Sequence, residues 1–182
     1  MSIVKDKMIK VVAPKLQADF GYKNKLALPG ITKVTINVGI GKGRDPKFIE
    51  TIVTTLRRIS GQEPVKTKAR KSIAGFKLRE GSIVGAFVTL RGEKMWSFLD
   101  KLANVAFARV RDFQGLPDTV VDKDGNFNFG FTEHTAFPEI APDEIESLHG
   151  VQVTITTTAH SRPVGLAIFT GLGFPIVTKK TK

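Results

Sequence analysis

The sequence has no cysteine, one tryptophan, one tyrosine and three histidines among its 182 residues. Without thiols there is no disulfide framework, no thiolate zinc site and no cysteine nucleophile. No apolar run approaches the roughly 18 residues of a membrane span. The first ten residues carry Lys5, Asp6, Lys7 and Lys10 and lack the apolar stretch of a secretory signal. A soluble, cytoplasmic chain is expected. Acids are scarce as well: 17 Asp and Glu stand against 28 Lys and Arg, a formal net charge of +11. Hydrophobic and charged fractions of 41% and 25% lie close to globular averages of about 45–50% and 25%. Disorder, collagen and coiled coil are thereby excluded. The length suits one domain, read here as 1–182 with a frayed basic tail at about 178–182.

The positive charge is unevenly placed. Residues 1–91 carry a net +13, residues 92–150 a net −6, and residues 151–182 a net +4. A folded chain with pI near 10 points to a polyanionic partner, most often nucleic acid. The acidic middle argues against a uniformly sticky surface.

Periodicity supplies the architecture. Residues 31–40 alternate, with Val34, Ile36, Val38 and Ile40 on one side and Lys33, Thr35, Asn37 and Gly39 on the other. Residues 63–69, 83–91 and 151–156 read as three more strands. Helices are expected over about 46–60, 93–107 and 163–172. The first has Asp45 as N-cap and Pro46 in its first turn, and ends at Gly61. An opening helix over 3–20, with Ile9, Val12 and Leu16 on its stripe, conflicts with Pro14, since an interior proline costs about 3 kcal/mol. The fold expected is α+β: a four-stranded, mainly antiparallel or mixed sheet with helices on one face. The other face is open and basic, built from Lys33, Thr35, Asn37, Lys66, Lys68, Thr89, Arg91, Thr154 and Thr156.

Catalytic signals are missing. His134, His149 and His160 share no metal-ligand spacing and read as loop or surface residues. The glycines at 39, 41 and 43 fail the Walker pattern, because Ile36 stands where its first glycine is needed and Gly43 where its Ser or Thr is. They also fail the dinucleotide pattern, because Arg44 replaces its last glycine. Gly39 and Gly41 still allow an RNA phosphate to approach the backbone. Asp122, Asp124, Asn126 and Glu133 mimic a calcium loop, but Phe127 occupies the position that needs glycine. Asp124-Gly125 is better read as a hairpin turn. No metal and no cofactor are expected.

Lys66, Lys68, Arg70, Lys71, Lys77 and Arg79 crowd into fourteen residues between two strands. They are interleaved with Ile73, Ala74, Phe76 and Leu78. Solvation alone does not call for those apolar side chains; contact with bases or sugars does. Here the residues carry a resemblance. Thr67-Lys68-Ala69-Arg70-Lys71-Ser72-Ile73-Ala74-Gly75-Phe76-Lys77 is similar to a signature of the 5S rRNA-binding family of large-subunit ribosomal proteins, the L-five family, in its bacterial form. Thr35 to Gly41, Val88 to Trp96, Arg109 to Leu116, Phe137 to Ile140 and Ile155 to Ala159 resemble further segments of it, in order.

That resemblance implies a protein without catalysis, placed in the central protuberance of the large subunit. It would bind 5S rRNA, touch 23S rRNA, extend the hairpin to peptidyl-site tRNA, and bridge to a protein of the small-subunit head. The implied 5S site combines Lys33, Thr35, Asn37, Gly39, Gly41, Lys66, Thr89 and Arg91. The implied tRNA hairpin carries Lys68, Arg70, Lys71, Phe76, Lys77 and Arg79, and the bridge takes Arg109, Arg111, Asp112, Asp143, Glu144 and Glu146. The open sheet face offers Thr, Asn, Lys and Arg with one aromatic, Phe87, so folded RNA is expected to be read through phosphates and 2′-hydroxyls. A general RNA- or DNA-binding protein is the alternative that charge alone leaves open. An RNA-modifying enzyme would need a constellation that the sequence does not display.

Overall fold

The alternating segments fold as strands in the computed structural model, which describes residues 2–41, 45–140 and 148–177. In chain order the strands are β1 (Ile31–Gly39), β2 (Val65–Lys68), β3 (Ile83–Leu90), β4 (Leu116–Pro117), β5 (Phe127–Phe131), β6 (Val151–Thr157) and β7 (Ile176–Val177). The helices are α1 (Ile3–Lys7), α2 (Ala13–Phe20), α3 (Pro46–Ser60), α4 (Gly92–Lys101) and α5 (Arg162–Leu172). One sheet runs in the order β2-β3-β1-β6-β5, and β4 pairs separately with β7. The class is α+β with a mainly antiparallel sheet, as expected, but the sheet has five strands instead of four. The chain divides into two compact units, one of Met1–Val34, Arg91–Phe129 and Thr154–Lys182, the other of Thr35–Leu90 and Gly130–Val153.

In the first unit the opening helix accommodates its proline. Residues Met8–Val12 between α1 and α2 widen into a π turn, where the Ala13 amide donates to the Met8 carbonyl five residues back. Pro14 then falls in the first turn of α2, where its missing N–H is not needed. The buried stripe is Val4, Met8, Val12 and Leu16, while Ile9, expected on it, is 61% exposed. The amides of Ile3 and Val4 donate to the Asp100 carboxylate at 3.1 and 2.6 Å, fixing the start of α1 against α4. Helix α5 ends at Gly173 (φ +95), the left-handed terminator anticipated from the sequence.

An aromatic cluster explains the strand that the sequence pattern missed. Phe127 in β5 is fully buried. Its ring lies 5.1 Å from Phe169, 5.2 Å from Phe174 and 6.5 Å from Phe107. Such edge and tilted contacts hold rings well. The turn before β5 is built by Asp122, whose Oδ1 accepts from the amides of Asp124 and Asn126 at 3.0 and 2.7 Å. Gly125 there has φ +81. This acidic segment is thus the hairpin turn expected, and its backbone lies directly against α5.

In the second unit α3 buries Ile52, Val53, Leu56 and Ile59 and stops at Gly61 (φ +64). Asp45 sits at the N-cap position in extended conformation, but its side chain makes no capping bond. His134 and His149 depart from expectation, being 2% and 7% exposed. Their rings stack at 4.0 Å, the His149 amide donates to His134 Nδ1 at 3.4 Å, and Phe48 meets His149 edge-on at 6.1 Å. Only the folded chain brings these positions together, so local pattern could not show it. His160, in the first unit, is exposed as expected.

These contacts bear on stability in two measurable ways. A methyl group on Gly165 would stand 2.6 Å from the Gly125 Cα and 2.7 Å from its carbonyl oxygen, and backbone cannot swing aside. Gly165→Ala should therefore destabilise by about 1–3 kcal/mol, whereas Gly130→Ala, with nothing within 4 Å, should change the urea midpoint little.

Burial holds the His134 imidazole below its ordinary value of 6.5, and the opposing pulls of the His149 backbone and the Glu133 charge are smaller. The unfolded chain therefore binds this proton more readily than the folded one. Stability should fall as pH drops below about 6.5. Urea titrations between pH 7.5 and 5 should show the loss, and His134→Gln should flatten it.

Candidate nucleic-acid interface

The second unit presents a sheet surface whose two sides differ sharply. Ile36, Val38, Ala86, Val88 and Leu90 are at most 1% exposed, and α3 packs against β3 on that side. Parity sends Thr35, Asn37 and Thr89 to the opposite side, where all three are half-buried. Gly39 ends β1 exposed, and Gly41 follows it, also exposed.

The edge strand corrects the expected composition of this face. Val65 stands opposite Phe87, Lys66 opposite Ala86 and Thr67 opposite Gly85. Directly opposite residues share a side of the sheet, so Lys66 belongs to the helix side and Val65 and Thr67 to the open one. The close fit of Thr67 over Gly85 agrees: a Cβ on Gly85 would lie 2.9 Å from Thr67 Oγ1. A register shift between Thr67 and Lys68 places Lys68 opposite Ile83, which returns it to the open side. Both neighbouring lysines are exposed, so β2 has no buried side from which its alternation could be oriented. The open face of this unit is Thr35, Asn37, Thr67, Lys68 and Thr89, with Val65 and Phe87 among them. Thr67 is the polar residue that sequence parity missed; its signal lies in the pairing with β3.

Lys33 and Arg91 belong to the other unit. Lys33 is half-buried in β1, and Arg91 is exposed at the N-cap of α4, one residue past β3. Thr154 and Thr156, also in that unit, are half-buried, and the Thr154 hydroxyl donates to Asn128 Oδ1 at 2.9 Å.

The basic hairpin has its own framework. Ile73 and Leu78 exchange amide-to-carbonyl bonds at 2.9 and 3.1 Å around a tight turn over Ala74–Phe76. Lys77 takes the left-handed conformation at φ +51. Ser72 Oγ accepts from the Glu80 amide at 2.9 Å, and Ala69 is tied to Ser82 and Gly81 at 2.8 and 3.0 Å. Arg70, Lys71, Lys77 and Arg79 are all exposed or half-exposed at the surface, and Phe76 is 73% exposed. The acid preceding this run, Glu63, is paired with Arg57 (Nη2 to Oε1 2.8 Å). The bond holds Glu63 below the usual carboxylate range and Arg57 above its ordinary value, so both stay ionised and the guanidinium offsets the Glu63 charge. Beside the hairpin, Ile40, Gly41, Gly75, Phe76, Lys77, Leu78 and Val84 line a groove of about 690 Å³.

Arg109, Arg111 and Asp112 are exposed in the first unit, Arg109 as the last residue of the short turn Phe107–Arg109 and the other two just after it. Asp143, Glu144 and Glu146, the acidic part of the expected bridge, lie outside the described residues, as does the basic tail from 178 onward.

Comparison with known proteins places this geometry. Residues 24–79 match the family described as ribosomal protein L5, and residues 83–176 match the model of that ribosomal family's C-terminus. The chain is 48% identical over 176 residues to the large ribosomal subunit protein uL5 of Bordetella petrii, covering 96% of this chain and 98% of that one. It is 45% identical to the uL5 of Kocuria rhizophila, covering 96% and 93%. The uL5 of Desulfovibrio desulfuricans is 48% identical, with 90% and 92% covered.

The chain belongs to the ribosomal protein L5 family.

Members of the L5 family are structural ribosomal proteins, not enzymes, and the resemblance seen in the motifs is thereby established. The two matched regions meet in the returning arm of the hairpin, between residues 79 and 83. The hairpin thus closes the first region and β3 opens the second. Among the described residues, no helix is long and apolar enough to cross a membrane.

Proposed function

We propose that this L5 protein binds 5S rRNA through the open faces of its strands and touches 23S rRNA within the central protuberance of a cytoplasmic ribosome. The observation that carries the reading is the corrected face of the second unit. Thr35, Asn37, Thr67 and Thr89 supply hydroxyls and an amide on a rigid sheet, Lys68 supplies a cation, and acids are absent from the set. Hydroxyl and amide groups suit 2′-hydroxyls and phosphate oxygens of folded RNA; a base-stacking platform would need more aromatics than Phe87. Lys33 and Arg91 add cations from the first unit. Lys66 has a weaker claim than its spacing suggested, because its side of the sheet is the helix side.

On the same reading the hairpin serves peptidyl-site tRNA. Arg109, Arg111 and Asp112 serve contact with a protein of the small-subunit head. Whether the purified protein selects 5S rRNA from total RNA tests the core of the proposal.

Asn37→Ala should weaken 5S rRNA binding by about 2- to 12-fold, the range for one lost hydrogen bond of 0.5–1.5 kcal/mol. Its thermal melt should stay put, since Asn37 lies outside the core. Unchanged binding would remove Asn37 from the site.

A division of labour is also testable. If Arg70, Lys71, Lys77 and Arg79 all neutralised 5S phosphates, changing them to Ala would flatten the salt dependence by about 2.8–3.6 log units per log unit of salt. The proposal expects almost no change in that slope, with peptidyl-site tRNA held less firmly by ribosomes carrying the variant. A slope change near the full amount would assign the hairpin to 5S rRNA.

A further inference from the structure

We infer that Gly85 is a positioning residue of the RNA-binding face: its missing side chain lets the Thr67 hydroxyl lie across β3, where it meets the sugar-phosphate backbone of the bound RNA. The inference rests on the RNA-binding reading above and adds to it the residue that sets where one of its hydroxyls stands.

Sterics give the first reason. Gly85 lies inside β3, where a glycine weakens a strand and marks the close approach of another group. Its φ is outside the left-handed range, so the turn chemistry that retains other glycines does not apply. In the sheet β3 lies between β2 and β1, and both neighbours crowd this position. A Cβ on Gly85 would stand 2.9 Å from Thr67 Oγ1 in β2 and 2.9 Å from the Val38 carbonyl oxygen in β1. Thr67 is the residue directly opposite Gly85, and opposite residues share one side of the sheet. A strand carbonyl cannot swing aside, but a threonine can turn about χ1. Any side chain at position 85 would therefore move the Thr67 hydroxyl first.

Hydrogen bonding gives the second reason. Elsewhere in the sheet the chain uses its own hydroxyls. Thr32 donates to the Thr156 carbonyl at 3.0 Å, Thr154 to Asn128 Oδ1 at 2.9 Å and Thr157 to the Gly125 carbonyl at 2.8 Å. Thr67 is half-buried, yet among the described residues its hydroxyl has no hydrogen-bond partner. The side chains of Thr35, Asn37 and Thr89, half-buried on the same face, have none there either. A polar group covered by a ligand and left unpaired costs more than the bond it could have made. Whatever covers this face must therefore bond these groups, which excludes an apolar partner. Phosphate oxygens accept from a hydroxyl, and a ribose 2′-hydroxyl both accepts and donates, so an RNA backbone satisfies Thr67 in either direction.

The test measures 5S rRNA affinity for full-length variants, with a thermal melt of each to check folding. Thr67→Val keeps the side-chain volume and removes the hydroxyl, so it should weaken binding by about 2- to 12-fold, the range for one lost hydrogen bond. Thr67→Ser should bind like the wild type. Gly85→Ala should lower the melt, because of the Val38 carbonyl, and weaken binding by the folded protein to the same extent as Thr67→Val. Combining the two separates positioning from mere structure. In the Thr67→Val chain, Gly85→Ala should cost no further affinity; an equal loss in both backgrounds overturns the inference. If Gly85→Ala does not fold, the wild type decides. NMR couplings at Thr67 should report one χ1 rotamer before RNA is added, and averaging among rotamers overturns the positioning role. Wild-type affinity in Thr67→Val also overturns it, and the RNA-binding reading then stands if Asn37→Ala still weakens binding. If the wild type does not bind 5S rRNA, that reading fails and takes Gly85 with it.

Discussion

A strand side chain can point in only two directions, and along β1 one of them is closed. Ile36 and Val38 are 0% and 1% exposed. Burying each is worth about 1.5–3 kcal/mol, and a slip of one residue would turn both into water and drive Thr35 and Asn37 inward. The same holds in β3, where Val88 and Leu90 fix Thr89. The proposed RNA-binding side chains are therefore positioned by residues that never touch RNA. They contribute little to the core themselves, which leaves recognition and stability separable on this face. A rigid array of hydroxyls and an amide is also what a folded RNA backbone requires, since its own donors and acceptors have fixed spacing.

How far the sequence could be read depended on whether an element had one buried side. β1, β3, β6 and α3 each did. Their periods were plain, and Gly61 and Gly173 marked helix ends because only glycine tolerates the φ found there. β2 had no such side: with Lys66 and Lys68 both exposed, its alternation carried no sign, and the pairing of Val65 with Phe87 reversed the orientation that parity implied. β5 escaped notice because Phe127 belongs to a cluster drawn from distant segments, in a stretch whose acids suggested a loop. His134 and His149 were misjudged for the same reason, as their stacking depends on a contact fifteen residues long. Pro14 looked prohibitive only for a uniform α-helix; a single π turn shifts the bonding so that its absent N–H is not missed.

On the proposed reading the sheet and the hairpin would meet a polyanion in two ways. The hairpin presents Arg70, Lys71, Lys77 and Arg79 on a narrow frame held by the Ile73–Leu78 pair. Contacts of this kind release counterions and weaken steeply with salt. The open face of the second unit carries hydroxyls, one amide and Lys68, so more of its proposed interaction with RNA would be hydrogen bonding, which salt screens far less. The Arg57–Glu63 pair fits this division, since it neutralises the acid preceding the cationic run. A protein using both modes can hold one RNA firmly through shape while engaging another through charge.

Glycine separates what the chain requires for itself from what it offers to a partner. Gly125 and Gly165 are needed internally, because their backbones meet where no Cβ fits. Gly61, Gly81 and Gly173 are needed for their left-handed angles. Gly30, Gly39, Gly41, Gly75 and Gly130 satisfy no such need: their φ angles are ordinary for any residue, and no described atom stands within 4 Å of the place a Cβ would occupy. Three of these, Gly39, Gly41 and Gly75, lie at the end of β1 or in the hairpin, where the cations are; Gly30 and Gly130 lie elsewhere. Retaining the most flexible residue at places with no internal use for it has a physical rationale if another molecule comes to within contact distance of the main chain.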